Sequence, residues 1–278
     1  MPKHVTPLQI GLHSYEAAYE DVGQGPVVVL LHGFMGSSRC WRSLLPYLSP
    51  YYRCICLDQF GFGESSRPMI RYDIAKLVAF VKAFKDKLQL PSITLVGHSL
   101  GGWVAAAYAL AHPDDVNGLV LVAPAGIRDD SFCGRYNHLR PLLWEAPVVD
   151  GLLWLMQPFA ALAKQAKPLA QIRRIRHELN AQPAARSFLV HRMRPEDAID
   201  TVEQEIHQLR VPTLVLAGDR DDTIPLWHCE TYAAEIPAAQ LAILPNADHS
   251  LPQTHASAVA EHLLPFLAAL AHPISSLD

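Results

Sequence analysis

The sequence contains no apolar run of about 18 residues, the length at which a segment becomes a candidate membrane-spanning helix. The segment from Met1 to Gln9 also lacks the apolar stretch that a secretory signal requires. Together these absences predict a soluble, cytoplasmic protein with no stable membrane insertion.

Charge of one sign is not in excess either. The chain has 23 Lys and Arg against 27 Asp and Glu, a net charge of -4. Proteins that bind nucleic acid usually carry a clear basic excess, so nucleic acid is not expected as a partner. Half of the 278 residues are hydrophobic, which is typical of a globular protein with a sizeable core.

Cysteine is scarce and irregularly spaced. The five cysteines form no Cys-x-x-Cys pair and no zinc-type spacing with histidine, so neither a disulfide framework nor a structural metal site is predicted. Cys54 and Cys56 share one face of an apparent strand, and buried free thiols are expected there.

What the sequence does contain is an alternation of short apolar runs with longer helical patterns. The runs are continuous, as in strands that helices cover on both faces, and they favour a mostly parallel sheet. Between the second and third run, apolar residues from Ile74 to Leu88 repeat at helical spacing, which predicts a β-α-β connection. A segment from Ile10 to Tyr19 is typical of an edge hairpin. The predicted strands are Val27–Leu31, Cys54–Leu57, Ile93–Val96, Leu119–Val122, Leu214–Ala217 and Leu241–Leu244.

This alternation stops between Pro124 and about Glu205, where apolar positions fall at helical intervals. We therefore predict a core formed by residues 1–124 and 206–278, with a helical insertion at 125–205. From Gly126 to Pro195 there are eleven Lys or Arg against five Asp or Glu. These charges form either a solvated helical face or a surface that meets an anionic substrate or partner.

One motif joins a predicted strand to a predicted helix. Gly97-His98-Ser99-Leu100-Gly101 follows the run that ends at Val96 and precedes an Ala-rich helical stretch. A nucleophile elbow needs this order, because a sharp turn exposes the serine while the flanking glycines let strand and helix pass closely. Ser99 is therefore the candidate nucleophile.

A serine hydroxyl needs a general base, and the base needs an orienting carboxylate. Asp219, Asp221 and Asp222 all follow the predicted strand 214–217, so the acid is not decided by position alone. His249 follows the next predicted strand and is the candidate base, with His255 as a distant alternative.

With these motifs the sequence resembles the α/β-hydrolase superfamily over nearly its whole length, in the branch with a helical cap inserted after the sixth strand. The resemblance implies a doubly wound, mostly parallel sheet and a chain order of Ser, Asp and His. Its acid loop, G-x-x-D-x-x-x-P, matches Gly218 to Pro225 and implies that Asp221 is the acid. Its histidine turn has glycines where this chain has Asn246 and Asp248.

The same resemblance implies an oxyanion hole formed by two backbone N–H groups. One belongs to Leu100, which follows the nucleophile. The other belongs to Phe34, the third residue of a His-Gly-x loop, in which His32 is expected to brace the loop. The glycine-rich segment Asp58 to Ser65 lacks the Lys and Ser or Thr of a phosphate-binding loop, so a structural role is expected. No metal or organic cofactor is needed.

The expected reaction is acyl transfer to Ser99 from a small-molecule substrate with an apolar part. His98 is expected at the pocket wall, as a substrate contact. Substrate contacts in the insertion are predicted from its aromatic residues and methionine, namely Phe132, Trp144, Trp154, Met156 and Phe159.

Carboxylic ester hydrolysis is the first functional hypothesis. The loop from Leu31 to Ser38 is also similar to that of a pyruvate-eliminating lyase of the menaquinone pathway, and carbon–carbon bond hydrolases share related segments. A binding protein on this fold, without turnover, is a further alternative, which the complete set of Ser99, Asp221 and His249 disfavours. The oligomeric state is not readable from the sequence.

Overall fold

The computed structural model describes residues 3–129, 147–162, 165–191, 200–237 and 239–271. The chain divides into two compact units. The first comprises Met1–Ser66, Asp73–Arg128 and Asp200–Asp278, and the second comprises Arg67–Tyr72 and Asp129–Ile199. The predicted insertion, 125–205, does not include the segment 67–72 that the structure assigns to the second unit.

In the described part of the chain, the first unit is built on an eight-stranded sheet with the order β1-β2-β4-β3-β5-β6-β7-β8. β2 is antiparallel to β1 and to β4, and the other neighbours are parallel. The predicted mostly parallel sheet is therefore confirmed. The strands are β1 (Lys3–Ile10), β2 (His13–Val22), β3 (Val27–Leu31), β4 (Arg53–Leu57), β5 (Ile93–His98), β6 (Val116–Val122), β7 (Thr213–Gly218) and β8 (Ala239–Leu244).

All six predicted strands are present, with ends that extend by up to three residues. The predicted edge hairpin is also present, but its first strand lies further towards the N-terminus. β1 pairs with β2 along its whole length, and the turn is at Gly11 and Leu12. β1 was not predicted because it is an edge strand in which only Leu8 is buried, and because it contains a proline, Pro7, which only an edge position tolerates.

The helices of the first unit flank this sheet, and the described residues of the second unit are mainly helical. The helix predicted from Ile74 onward is confirmed, and Asp73 caps it by accepting a hydrogen bond from the Lys76 amide. The helices of the first unit are α1 (Leu45–Leu48), α2 (Ile74–Lys87), α3 (Leu100–Ala111), α8 (Leu226–Glu235), α9 (Leu251–Thr254) and α10 (Ala256–Ala271). Those of the second unit are α4 (Pro147–Leu155), α5 (Gln157–Leu162), α6 (Ala166–Ala181) and α7 (Pro183–His191).

Both faces of the central strands are buried, which explains why their sequences are continuous rather than alternating. Alternate residues, such as Leu30, Cys56 and Val96, pack in one cluster with Trp41 and residues of α1 and α10. The strand residues between them are also buried, and α3 contacts β3, β5 and β6. Cys54 and Cys56 are buried and free, as predicted.

The strand order places the loops after β3 and β5 side by side. The chain passes from β3 to β4 on one side and later from β5 to β6 on the other, so β3 and β5 are central neighbours. In open α/β sheets, ligands bind at the carboxyl ends of the strands where the order reverses in this way. The segments His32–Gly36 and Ser99–Leu100 leave the sheet at this point.

Candidate active site

Ser99 occupies a strained turn between β5 and α3. Its φ of 55° and ψ of -116° lie in a region that residues with a side chain rarely adopt. Its amide donates to Val122 O at 2.9 Å, and its carbonyl accepts from the amides of Gly102 at 2.9 Å and Ala125 at 3.0 Å. The surrounding backbone therefore holds the strained conformation, as is common at functional sites.

Close backbone contacts explain the two glycines of the motif. A Cβ on Gly97 would lie 2.2 Å from Gly101 O, and a Cβ on Gly101 would lie 2.1 Å from Leu31 O. No real Cβ contact is this short, so either substitution would push α3 away from β3 and β5. The turn therefore requires glycine at both positions 97 and 101.

We expect Gly101→Ala to lower the free energy of unfolding by about 3 kcal/mol, because backbone atoms of a central strand must move to admit the methyl group. Gly151→Ala is the matched control: nothing lies within 4 Å of its added Cβ, and alanine favours a helix such as α4. Urea unfolding of both variants measures the difference. Equal stabilities would contradict the close approach of α3 to β3.

Ser99, His249 and Asp221 form one chain of hydrogen bonds. Ser99 Oγ lies 3.0 Å from His249 Nε2, and His249 Nδ1 lies 2.7 Å from Asp221 Oδ2. Because a carboxylate only accepts, Nδ1 carries the proton, and Nε2 is left as the acceptor for the serine hydroxyl. This tautomer is the one that can remove a proton from Ser99.

The carboxylate of Asp221 is held by more than His249. Its Oδ1 accepts from the amides of Thr223 and Ile224, each at 2.8 Å. Burial raises the pKa of Asp221, but the hydrogen bonds from His249 and from these amides outweigh it, so the pKa lies below its ordinary value. Asp221 therefore stays ionised beside His249.

The two neighbouring aspartates have other contacts. Asp219 Oδ1 accepts from the Ala247 amide at 3.2 Å, which joins the end of β7 to the histidine loop. Asp222 is exposed, and its carboxylate accepts from the Thr223 hydroxyl at 3.3 Å. His255, the alternative base, contacts the Thr254 hydroxyl.

The turn before His249 forms without the glycines of the family pattern. Asn246 has a φ of 58°, and asparagine tolerates this left-handed conformation better than most residues. Ala247 is fully buried, and its carbonyl accepts from the Arg220 amide at 3.0 Å. The departure from the pattern therefore preserves the backbone turn.

The loop after β3 lies against Ser99. A Cβ on Gly33 would be 3.2 Å from Ser99 Cβ, and the turn is closed by the Gly36 amide, which donates to Gly33 O at 3.1 Å. Phe34 follows Gly33 in this turn, and Met35 has a left-handed φ of 56°. Leu100 begins α3, where amides have no acceptor within the helix. The segments that carry both predicted oxyanion donors are thus neighbours of Ser99.

His32 and Asp58 brace this loop, in line with the structural roles expected for them. His32 Nδ1 donates to Gly33 O at 2.7 Å, and His32 Nε2 accepts from the Gln59 amide at 3.0 Å. The buried Asp58 accepts from the Ser38 amide at 2.6 Å and pairs with Lys3 at 2.7 Å. These contacts fix both ends of the segment that contains Phe34.

His98 lies beside the hydrogen-bonded chain. Its Nε2 donates to the main-chain oxygen of His249 at 2.8 Å, and the two rings are 4.8 Å apart. No sequence pattern pointed to this contact, because the two residues are 151 positions apart. Sequence reasoning also missed the bond from Ala125 to Ser99.

The predicted substrate contacts in the insertion are only partly described. Phe132 and Trp144 lie outside the described residues. Trp154, Met156 and Phe159 lie in or beside α4 and α5 and are 65%, 53% and 72% exposed.

Among the arginines of the insertion, Arg176 is buried and holds Asp150 through two hydrogen bonds of 2.7 and 2.8 Å. Arg173 and Arg174 are exposed on the same helix, α6. Arg176 is therefore engaged within the second unit, while its neighbours in sequence form an exposed basic surface.

The stability of the protein should fall as the pH falls from 6.5 towards 4. Burial lowers the pKa of His32 and, to about 4, that of His98. The unfolded chain binds a proton near pH 6.5, where the native histidines stay neutral. Over this window the unfolded state binds more protons, so His98 alone should cost about 3 kcal/mol of unfolding free energy.

Urea unfolding at a series of pH values across the same window measures this loss. A shallower pH dependence is expected for His98→Phe, which has no titrating group at this position. A wild-type unfolding free energy that does not change across the window would contradict the neutral, buried state of both histidines.

Among the residues that the structure describes there is neither a metal-binding cluster nor a membrane-spanning helix. No group of three or more His, Cys, Asp and Glu side chains among them is arranged to hold a metal ion. None of their helices has the length and apolar character needed to cross a membrane.

A mostly parallel sheet with a strained serine between its fifth strand and the next helix is the arrangement that defines α/β hydrolases. The sequence profile of the α/β-hydrolase fold matches residues 26–256. The chain therefore belongs to the α/β-hydrolase family, and it is a hydrolase of this fold.

Individual relatives agree with this assignment. The 2-hydroxy-6-oxo-2,4-heptadienoate hydrolase of Pseudomonas putida is 32% identical over 220 residues, 76% of this chain and 78% of that protein. A thermophilic esterase from Thermogutta terrifontis superposes with a TM-score of 0.74 at 25% identity, covering 97% of this chain and 99% of the esterase. A meta-cleavage product hydrolase from Pseudomonas fluorescens superposes with a TM-score of 0.69 at 26% identity, covering 91% of this chain and 94% of that hydrolase.

Proposed function

We propose that this hydrolase cleaves its substrate through nucleophilic attack of Ser99 on a carbonyl carbon. His249 acts as the general base, and Asp221 is the carboxylate that orients it. The observation that carries the proposal is the continuous chain from Asp221 Oδ2 through His249 to Ser99 Oγ, with contacts of 2.7 and 3.0 Å. These distances lie within the range over which a base removes a proton directly.

The reaction proceeds in two halves. Ser99 Oγ bonds to the carbonyl carbon while its proton passes to His249 Nε2, and the carbonyl electron pair moves to oxygen. The amides of Leu100 and Phe34 hold that oxyanion. His249 then protonates the departing group as the bond to carbon breaks, which leaves an acyl-enzyme. A water molecule then bonds to the acyl carbon as it loses a proton to His249. The bond from that carbon to Ser99 Oγ breaks while His249 returns the proton to Oγ, which releases the acid and restores Ser99.

We propose a carboxylic ester as the substrate class, because an alcohol leaves readily once His249 supplies its proton. The solved relative from Thermogutta terrifontis is an esterase by description and is similar along nearly the whole chain. No step in this reaction needs a metal or an organic cofactor.

A second candidate is the cleavage of a carbon–carbon bond beside a ketone. The names of the Pseudomonas putida and Pseudomonas fluorescens relatives favour it. The attack by Ser99 would be the same, but the departing carbon must be stabilised as an enolate by a second, conjugated carbonyl. Such a substrate carries a carboxylate, which distinguishes it from a simple ester.

A panel of substrates decides between the two candidates. Nitrophenyl esters of increasing acyl length test the first, and a 2-hydroxy-6-oxo-2,4-dienoate tests the second, with Ser99→Ala as the blank. Turnover of the esters alone supports the ester hydrolase. Turnover of the dienoate at a higher kcat/KM than any ester would replace it with the second candidate.

The insertion between β6 and β7 is proposed as the cap of this hydrolase, on the basis of its place in the chain. The roles of Trp154 and Met156 as substrate contacts stay predictions. Their large apolar side chains would suit a small molecule with an apolar part.

A further inference from the structure

His98 is buried at the end of β5, directly before Ser99, and it reaches across to the residue that carries the general base. The residue is 6% exposed. The Nε2–H group donates to the main-chain oxygen of His249 at 2.8 Å, and the rings are tilted by 41° at a distance of 4.8 Å. His98 thus contacts both the backbone and the ring of His249.

Neighbouring residues of the histidine loop are held by other bonds. The Ala247 amide donates a hydrogen bond to Asp219, and the Ala247 carbonyl accepts one from the Arg220 amide. The Asp248 carboxylate accepts hydrogen bonds from Ser250 and Thr254. Within the described residues, the hydrogen bond from His98 is the one that reaches the main chain of His249. The position of the base along this loop therefore depends on the side chain of His98.

The contact closes a ring of interactions around the serine. Ser99 is joined to His98 by a peptide bond, His98 to the His249 main chain by Nε2–H, and the His249 ring to Ser99 Oγ at 3.0 Å. A displacement of the histidine loop away from β5 would lengthen the hydrogen bond from His98 together with the contact between the His249 ring and Ser99 Oγ.

We propose that His98 is a positioning residue, which holds the main chain of His249 so that Nε2 of the base stays within hydrogen-bonding distance of Ser99 Oγ. This inference rests on the proposed roles of Ser99 and His249. It assigns to His98 a task different from the substrate contact expected from the sequence.

The charge state of His98 suits this task. Burial, and next the proximity of His249, lower its pKa to about 4, so the ring is neutral at ordinary pH. The groups that act on its charge are His249, Asp221 and His32. A neutral His98 places no positive charge beside the imidazolium that forms on His249 during the reaction.

The space around His98 is also matched to an imidazole. A Cβ on Gly33 would lie 3.0 Å from His98 Nδ1, so the absence of a side chain at Gly33 makes room for the ring. The ring therefore lies between the loop after β3 and the loop that carries His249. A substituent of different shape at position 98 would be felt by both loops.

Two substitutions separate the hydrogen bond from the packing. His98→Phe keeps a planar ring and removes the donor, whereas His98→Gln keeps a donor nitrogen at the end of the side chain. We expect kcat for the best substrate of the panel to fall by about 10- to 100-fold in His98→Phe with KM changed less than about threefold, because a small misplacement of a catalytic group costs this much. His98→Gln should recover most of the loss. His13→Phe, at an exposed histidine of β2 with no proposed role, is the control and should retain wild-type kcat.

The rate at which a fluorophosphonate labels Ser99 should follow the same order, since that reaction needs the base but not the natural substrate. Equal losses in Phe and Gln variants, or no loss in either, would overturn the proposal. A rise in KM at constant kcat would overturn it too and make His98 a substrate contact. If His98→Phe does not fold, His98→Asn takes its place, because its shorter amide cannot span to the His249 oxygen.

These outcomes remain distinct from failure of the proposed function. Full activity in Ser99→Ala would reject the serine mechanism whatever His98 does. An inactive Ser99→Ala together with a fully active His98→Phe would reject only the positioning role.

Discussion

Replacing Ser99 with alanine should lower kcat by about 10⁶-fold, the scale seen when a serine nucleophile is removed from a complete triad. In the proposed mechanism the Ser99 hydroxyl bonds to the substrate, and its proton is the one that His249 takes at this position. The fold should persist, because the side chain of Ser99 contributes one hydrogen bond, to His249, while its strained backbone is held by Val122 and Ala125.

Ser257→Ala is the matched control, since Ser257 is exposed on α10 and its hydroxyl makes one long contact of 3.5 Å with Glu261. That variant should keep wild-type kcat and should still be labelled by a fluorophosphonate. A folded Ser99→Ala variant that turns over substrate at more than about 1% of the wild-type rate would reject Ser99 as the nucleophile.

Asp221→Asn should lower kcat by about 10⁴-fold, although only one atom is exchanged. The single carbonyl oxygen of asparagine can continue to accept from the amides of Thr223 and Ile224, at the position of Oδ1. Its NH₂ group then faces His249 Nδ1, which must give up its proton in order to accept. The proton moves to Nε2, and the imidazole can no longer take a proton from Ser99.

Asp222→Asn is the matched control one residue further along the chain. Its carboxylate is exposed and contacts only the Thr223 hydroxyl among the hydrogen bonds of the described residues, so kcat should change less than about threefold. Steady-state kinetics and urea unfolding of both variants test the pair. Equal losses of kcat in the two would show that the acid is not Asp221.

The three aspartates after β7 illustrate how far sequence reasoning can go. Their order along the chain placed all of them in one loop, and only the resemblance to a family singled out Asp221. In the structure, the loop turns so that Asp221 faces His249, whereas Asp219 reaches Ala247 and Asp222 faces solvent. Direction within a loop depends on backbone dihedrals that local composition does not specify.

More of the fold than of the candidate site could be predicted from the sequence. Continuous apolar runs predict strands that are buried on both faces, and the central strands are of this kind. β1 was missed because an edge strand needs neither a buried face nor an unbroken set of amide donors, so Pro7 and its polar neighbours concealed it. The turn before His249 could be predicted only from its place after the last strand, because the left-handed conformation of Asn246 does not require the glycine that marks this turn in the family.

Sequence alone predicted the mostly parallel sheet and the sharp turn around Ser99, because each depends on residue types at short spacing. The proposed chain order of Ser, Asp and His came from the resemblance to a family. Tertiary structure decided which side chains meet. The pairing of Asp221 with His249, the 3.0 Å approach of His249 to Ser99 and the bond from His98 to His249 join loops that lie far apart in the chain. Such contacts arise because β5, β7 and β8 lie in one sheet and their carboxyl-terminal loops meet at one edge. No local pattern of residues encodes the distances between side chains of different loops.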